Sequence, residues 1–198
     1  MKELKVKLTF TEEVLGTSSS NPEIHEEFIA SKAPDAKSIE EEVAAIGVEE
    51  VVEKSMTIFP KLEDGTPFVY DYQIRGFFKE ACSCLKKVEK TRSSKIKAFK
   101  KQIDGLIFVA PRRIPMDMHG GALGSCQRPL RASTAQGERI SLANSEVVPA
   151  GTSIEFTVKC LVDDDIETVK EWLEYGIFKG LGQWRNSGKG RFSVEYLN

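Results

Sequence analysis

The stretch that decides the fold is "GLGQWRNSGKGRF", residues 180–192, which connects a helical pattern to the last strand pattern. A nucleotide phosphate-binding loop has four residues between its glycines and then Lys-Ser/Thr at the start of a helix. Here five residues separate Gly182 from Gly188, and Lys189 is followed by Gly190 and a strand. The dinucleotide fingerprint is excluded as well, because it follows a strand and opens a helix. The stretch is therefore a glycine-rich connection whose backbone N–H groups a polyanion can approach closely.

Two interpretations of this connection stay open from the residues alone. In the first, Arg185, Lys189 and Arg191 supply positive charge to a phosphate backbone, and Trp184 stacks on a base, a contact worth about 1–3 kcal/mol. In the second, the glycines form a plain helix cap and a turn, and the tryptophan belongs to the core.

The segments around the loop predict an α+β domain. Apolar and polar residues alternate over 2–11, which predicts a strand, and residues 70–89 carry an apolar stripe of helical spacing. Apolar segments predict three strands between 103 and 162, separated by a loop or hairpin over 115–138, and 163–178 predicts a second helix. Without insertions the order is β-α-β-β-α-β, a modified ferredoxin-like (RRM-like) sheet with its helices on one face.

Charge is segregated along the chain, although the net charge is only -2. Residues 23–64 carry twelve acids against four lysines, and 38–54 have helical spacing. Residues 75–101 carry ten basic residues against two acids. We expect one domain over 1–198, with 17–66 as an acidic helical insertion or lid. A basic face beside an acidic lobe favours a polyanionic partner.

Four stretches, in this order, resemble the RAMP superfamily, the repeat-associated RNA-binding proteins of CRISPR effector complexes, and most closely their backbone subunits. "KVKLTFTEEVLGTSS" (5–19) resembles the first strand and its glycine-containing turn, and "YQIRGFFKEACSCL" (72–85) the helix that a basic-glycine motif opens. "EVVPAGTSIEFTVKCL" (146–161) resembles the start of a central strand, and 180–192 the glycine-rich loop. The chain also resembles solitary members carried by prophages of Gram-positive bacteria.

This resemblance implies a single-stranded RNA-binding protein whose glycine-rich loop and first helix line a groove for the phosphodiester backbone. Contacts of this kind carry no sequence preference and weaken steeply with salt. Single-stranded DNA stays open as a ligand, and a homo-oligomeric filament or CRISPR effector subunits are the expected protein partners. The candidate RNA-binding residues are Gly182, Trp184, Arg185, Asn186, Gly188, Lys189 and Arg191 in the loop, Arg75 and Lys79 on the helix, and Arg112, Arg113, Arg128 and Arg131 on neighbouring loops.

The catalytic candidates are His119, His25 and Asp35, because some members of the superfamily cleave RNA with a histidine and some with a loop aspartate. Acids flank His25 and would repel a phosphodiester, whereas arginines surround His119 in the sequence. Neither histidine has a second histidine nearby to complete an acid–base pair. We therefore expect a binding protein rather than an enzyme. The alternatives are an anti-CRISPR protein or subunit mimic that acts on a CRISPR complex, a metal-independent endoribonuclease, and a structural protein that has lost RNA binding.

The composition argues against several other classes of protein. Cys82, Cys84, Cys126 and Cys160 have irregular spacing without paired CxxC or HxxxH, so we expect no metal site, and no motif implies a cofactor. No apolar run approaches 18 residues, which argues against a membrane span. The N-terminus lacks the apolar core of a signal peptide, so we expect a cytoplasmic protein.

Overall fold

The computed structural model describes residues 1–19, 56–134 and 137–197, with the backbone alone between 130 and 142. The strands are β1 (Lys2–Phe10), β2 (Val14–Leu15), β3 (Ser18–Ser19), β4 (Thr57–Ile58), β5 (Phe68–Tyr70), β6 (Ile107–Ala110), β7 (Arg113–Asp117), β8 (Gly124–Thr134), β9 (Gly137–Val148), β10 (Ser153–Cys160) and β11 (Phe192–Leu197). The helices are α1 (Asp71–Leu85), α2 (Phe99–Leu106), α3 (Asp165–Glu174) and α4 (Gly176–Lys179), with 3-10 turns at Ser93–Lys95 and Arg185–Ser187. Most of the predicted acidic insertion, including 38–54, lies outside these residues.

The main sheet has the order β11-β1-β10-β7-β5, and β6 pairs with β10 beside β7. All of these neighbours are antiparallel, with Val6 opposite Phe156 on one side of β1 and opposite Tyr196 on the other. This α+β arrangement is compatible with the predicted ferredoxin-like fold. The extra strands and α2 depart from a simple six-element series, so the β-α-β-β-α-β topology stays a prediction.

Alternation along the central strands creates one apolar and one polar face of the sheet. In β10, Ile154, Phe156, Val158 and Cys160 are buried, and α1 and α3 pack over the same core. Residues between them point to the opposite face, because successive side chains of a strand alternate. There Glu155 forms an ion pair with a lysine of β1. The helices and the core thus lie on one face, and on the other, the open face, the charged side chains of β1 and β10 are exposed or half-buried among the described residues.

A second sheet has the order β2-β9-β4-β3, with β8 paired to β9. Its β4–β9 pairing is parallel, so the fold contains mixed sheets. The hairpin β8–β9 pairs continuously from Gly124 opposite Val147 to Thr134 opposite Gly137. This register corrects the placement of two arginines on loops, since Arg128 and Arg131 belong to β8. Arg113 likewise belongs to β7 rather than to a loop.

The segment predicted as a strand from residue 103 begins as a helix. Phe99, Ile103 and Leu106 lie three and four residues apart, the spacing of one helix face, and α2 continues to Leu106 before β6 begins. The strand prediction was therefore correct only from Ile107 onward. Among the described residues, no helix is long and apolar enough to cross a membrane.

Candidate nucleic-acid interface

The glycine-rich loop folds tightly against itself and against the segment that follows β1. A Cβ on Gly190 would overlap the carbonyl oxygen of Leu181, and one on Gly180 would lie 2.7 Å from the backbone of Gly190. The N–H of Leu181 donates to the carbonyl of Gly190 at 2.8 Å, and the N–H of Gly190 donates to the carbonyl of Glu13 at 2.8 Å. These two glycines are thus required by packing within the protein, whereas the atoms nearest to a Cβ on Gly188 belong to the Arg191 side chain, at 3.6 Å and beyond.

The structure agrees with one part of the helix-cap interpretation of the loop and disagrees with another. The N–H of Gly180 donates to the carbonyl of Gly176 at 3.0 Å, which is a plain helix cap. Trp184, by contrast, is 43% exposed and lies outside the core. It adopts a left-handed backbone conformation with φ 54°, which few residues other than glycine adopt. The helix-cap interpretation therefore holds for the start of the loop and fails for its tryptophan.

A groove of about 480 Å³ lies between this loop, α1 and the segment after β1. Its apolar side chains include Val14, Phe59, Val69, Phe77 and Leu181. Its polar and charged lining residues are Thr17, Ser18, Gln73, Arg75, Lys79, Glu80, Asp104 and Arg185. The structure thus brings predicted residues of the helix and of the loop, which are far apart in sequence, to one apolar groove with a charged rim.

Two arginines share one buried carboxylate at the start of α1. Asp71 accepts from Arg75 Nη2 at 3.2 Å through one oxygen and from Arg112 Nη1 at 2.7 Å through the other. The Nε of Arg75 is buried and has no hydrogen-bond partner in the described part of the chain. A buried donor without an acceptor costs free energy, so Arg75 keeps its contact with Asp71 at the expense of its Nε.

Glu80, which lines the groove, bridges two cations. Its Oε1 accepts from Lys179 Nζ at 2.9 Å, and its Oε2 accepts from Arg185 Nη1. Burial alone raises the pKa of this carboxyl, but the hydrogen bonds from Lys179 and Arg185 outweigh it and hold the pKa below its ordinary value of 4.5. Lys79 pairs with Asp104 at 2.5 Å. The rim therefore carries its cations in ion pairs rather than as isolated charges.

The end of the loop also carries paired and exposed groups. Lys189 Nζ contacts Glu13 at 2.6 Å, and this hydrogen bond raises the pKa of the lysine. Asn186 and Arg191 are exposed beside Gly188. None of these residues lines the groove itself, so they extend the basic surface from the groove toward β11.

Arg128 has a different place from the one expected for a groove residue. It is 7% exposed, its Nη1 donates to Ser145 Oγ at 3.0 Å, and its Nη2 donates to Gln183 Oε1 at 2.7 Å. Its guanidinium lies 5.5 Å from the ring centre of Trp184, a cation–π contact. Arg128 therefore connects the β8–β9 hairpin to the loop and supports Trp184, rather than presenting a free charge.

The remaining candidates do not join the groove. Arg112, which pairs with Asp71, and Arg113, which lies over the Phe68 ring at 5.8 Å, are both outside the groove lining. His119 lines a separate cavity of about 720 Å³, where its Nδ1 lies 3.2 Å from Asp117 Oδ2 and its Nε2 3.1 Å from Ser153 Oγ. The Arg131 side chain, His25 and Asp35 fall outside the described residues.

Sequence reasoning missed the partners of the predicted cations. Asp71 is four residues before Arg75, so that pair is readable as a helical i,i+4 contact. Glu80 and Lys179 lie on elements that only the tertiary fold brings together, and no local pattern indicates them. In the parts of the chain with described positions, no group of three histidine, cysteine or acidic side chains is arranged to hold a metal ion, and the four cysteines are free.

Comparison with known proteins gives matches at the level of structure. Neither a protein-family model nor a curated protein matches the sequence. A chain of the type III-B Cmr-beta complex bound to cognate target RNA aligns with TM-score 0.54 and 10% identity, over 100% of this chain and 61% of that one. A chain of a type IV-B CRISPR complex aligns with TM-score 0.50 and 10% identity, over 99% of this chain and 90% of that one.

The similarity establishes the fold. Both similar structures are chains of CRISPR complexes, which agrees with the fold that the RAMP resemblance implies. This chain spans 61% of the length of the Cmr-beta chain. At 10% identity the similarity does not extend to the individual residues of the groove.

Proposed function

We propose that this protein binds single-stranded RNA along its phosphodiester backbone, in the groove between α1 and the glycine-rich loop, as a subunit-like component of a CRISPR-type assembly. The observation that carries the proposal is the convergence of cations from separate segments on one groove. Arg75 and Lys79 come from α1 and Arg185 from the loop, and all three line the groove.

The chemistry of the groove fits a nucleic-acid strand better than a small apolar ligand. Guanidinium groups recognise phosphate oxygens through paired hydrogen bonds, and two arginines, Arg75 and Arg185, line the groove. The apolar residues beneath the rim suit the sugar and base surfaces of an unpaired strand. None of these contacts reads the Watson–Crick edge of a base, so we expect affinity without sequence preference.

The fold comparison supports the same assignment. One similar structure belongs to a complex bound to cognate target RNA and the other to a CRISPR complex. Membership in the prophage-encoded group, assembly into a filament and action as an anti-CRISPR protein stay predictions. Endoribonuclease activity is not part of the proposal, because His119 lies in a different cavity from the cations.

Binding of labelled single-stranded RNA, single-stranded DNA and duplex RNA over a salt series tests the proposal. We compare wild type with the Arg185→Ala/Lys189→Ala variant and with a charge-matched control, Lys7→Ala/Lys159→Ala. The control lysines pair with Glu155 and Glu3 on the open face of the sheet. We expect the loop variant to lose about 10- to 100-fold in affinity for RNA, since a hydrogen bond to a charged group contributes about 1.5–3 kcal/mol.

The outcome of this comparison separates the alternatives. Equal losses in both variants would show that net charge alone, rather than the groove, determines binding. If wild type binds no RNA at low salt, the proposal is wrong. Binding to a CRISPR effector complex without RNA binding would then favour the subunit mimic.

A further inference from the structure

Glu80 is placed where a phosphate of the bound strand would be expected to lie. Its two carboxylate oxygens each accept from a different cation, Lys179 and Arg185, at the edge of the groove. Two oxygens of one phosphate would satisfy the same two donors, because both groups are anions with several acceptor oxygens. The carboxylate and a ligand phosphate therefore compete for the same pair of donors.

Asp71 also bridges two cations, but its surroundings hold it in place. Its side chain is 12% exposed, against 32% for Glu80. It lies in the first turn of α1, where the helix dipole favours an acid, and its N–H donates to the carbonyl of Arg112 at 3.0 Å. Asp71 therefore positions the arginines, whereas Glu80 can rotate into solvent without unpairing a helix terminus.

We propose that Glu80 is a built-in competitor for phosphate, which leaves Lys179 and Arg185 when the strand binds and so sets the affinity of the groove. The inference rests on the proposed function of the groove as an RNA-binding site. It adds Lys179 to the phosphate-binding residues and assigns Glu80 a role opposite to theirs. In the exchange the two cations keep an anionic partner throughout, and the carboxylate becomes hydrated.

The exchange of Glu80 for a phosphate makes the site selective for a charged backbone. A neutral backbone offers no anion to replace the carboxylate, so the site accepts a charged phosphodiester and discriminates against uncharged linkages. A carboxylate at this position also lowers the positive charge available to any strand. Removal of Glu80 should therefore strengthen binding, which is the reverse of the effect expected for a residue that contacts RNA favourably.

The test compares Glu80→Gln with Glu155→Gln in single-stranded RNA binding over a salt series. Both substitutions remove one acid that forms an ion pair with lysine or arginine, but Glu155 lies on the open face of the sheet. We expect Glu80→Gln to raise the affinity about three- to tenfold. The salt dependence of its binding should also steepen by about one unit of slope. We expect Glu155→Gln to change both quantities little.

Several controls separate this inference from the proposed function. RNA binding by wild type with equal affinities of the two variants would overturn the inference and leave the proposed function intact. No RNA binding by wild type or variant would overturn the proposed function itself. If Glu80→Gln does not fold by circular dichroism, Glu80→Ala replaces it with the same expected gain in affinity, because it also removes the carboxylate. A gain that persists when Lys179 and Arg185 are both changed to Met would also overturn the inference.

Discussion

Two cavities in the described part of the protein differ in their charged side chains. The larger, of about 720 Å³, is lined by Asp64, Asp117, Glu155 and His119, and none of its described lining residues is a lysine or arginine. The smaller, of about 480 Å³, has Arg75, Lys79 and Arg185 together with Glu80 and Asp104 on its rim, and apolar side chains beneath. The acids of the first disfavour a polyanion, whereas the second carries three cations against two acids. The comparison teaches that volume alone does not choose between these cavities as a site for a polyanion, and that their charged linings do.

Two glycines, Gly190 in the loop and Gly120 beside the larger cavity, are required for different reasons. In the glycine-rich loop, Gly190 has positive φ and backbone atoms at close range. Beside the larger cavity, Gly120 has a similar φ of 83°, but a methyl group added there would meet no described atom within 4 Å. Gly190 is thus required by packing as well as by conformation, whereas Gly120 is required by conformation alone.

The largest expected effect is that of Gly190→Ala, with Gly120→Ala as its matched variant. The added methyl of Gly190→Ala would overlap the Leu181 carbonyl, so we expect it to lower the free energy of unfolding by about 3 kcal/mol or more and to abolish RNA binding. Gly120→Ala meets no described neighbour, so only its left-handed backbone is strained, at about 1–2 kcal/mol. Urea unfolding and RNA titration measure both quantities. Equal losses of stability would contradict the packing difference.

A smaller effect is expected for Trp184→Ala, with His119→Ala as its counterpart in the larger cavity. Arg128 covers one side of the Trp184 ring, and the side chain is 43% exposed, so we expect the ring to stack on an unpaired base. Loss of that stacking should weaken RNA binding by about 1–3 kcal/mol, with partial retention in Trp184→Phe. His119→Ala should leave RNA binding unchanged.

Tryptophan fluorescence measures this contact directly. Trp172 is fully buried and donates to Ser93 Oγ, so it supplies a constant background. RNA should quench the fluorescence of Trp184, and an abasic strand of equal length should not. A larger loss of RNA affinity in His119→Ala than in Trp184→Ala would reverse the assignment of the two cavities.

The elements that the sequence predicts well are those with a clear local period. β1, α1, β10, α3 and β11 all appear near their predicted positions, because alternation or helical spacing in these segments matches their burial. The β8–β9 hairpin and α2 were less predictable. A composition rich in glycine, proline and serine is shared by loops and hairpins, and the eight residues of α2 merge into the apolar strand that follows.

The candidate site was predictable in its cations but not in their partners. The glycine-rich loop and α1 contribute residues to one groove, as the sequence predicts for Arg75, Lys79, Gly182 and Arg185. The contact of Arg185 with Glu80 joins residues 105 positions apart, so no helical or strand spacing could indicate it. The same holds for the burial of Arg128, which depends on pairing between β8 and β9. Whether these cations bind RNA stays a prediction.

The smallest expected effect concerns the response of the groove to acid. Among the described residues lining the larger cavity, no carboxylate lies between two lysines or arginines, whereas Glu80 does so in the groove. The pKa of Glu80 is lowered in the folded protein, so its ion pairs stabilise the fold above the unfolded pKa and stop doing so as pH falls through the folded pKa. This contribution is about 1 kcal/mol or less, because the pairs are partly exposed.

Urea unfolding of wild type and Glu80→Gln at a series of pH values measures this contribution. The difference in unfolding free energy should be constant from about pH 8 to pH 6 and should shrink below the ordinary pKa of 4.5. The RNA affinity gained in Glu80→Gln should follow the same course, because protonated Glu80 no longer competes for Lys179 and Arg185. A difference that already shrinks between about pH 8 and pH 6 would mean that Glu80 is not held ionised by these two cations, and the contrast between the two cavities would lose its electrostatic basis.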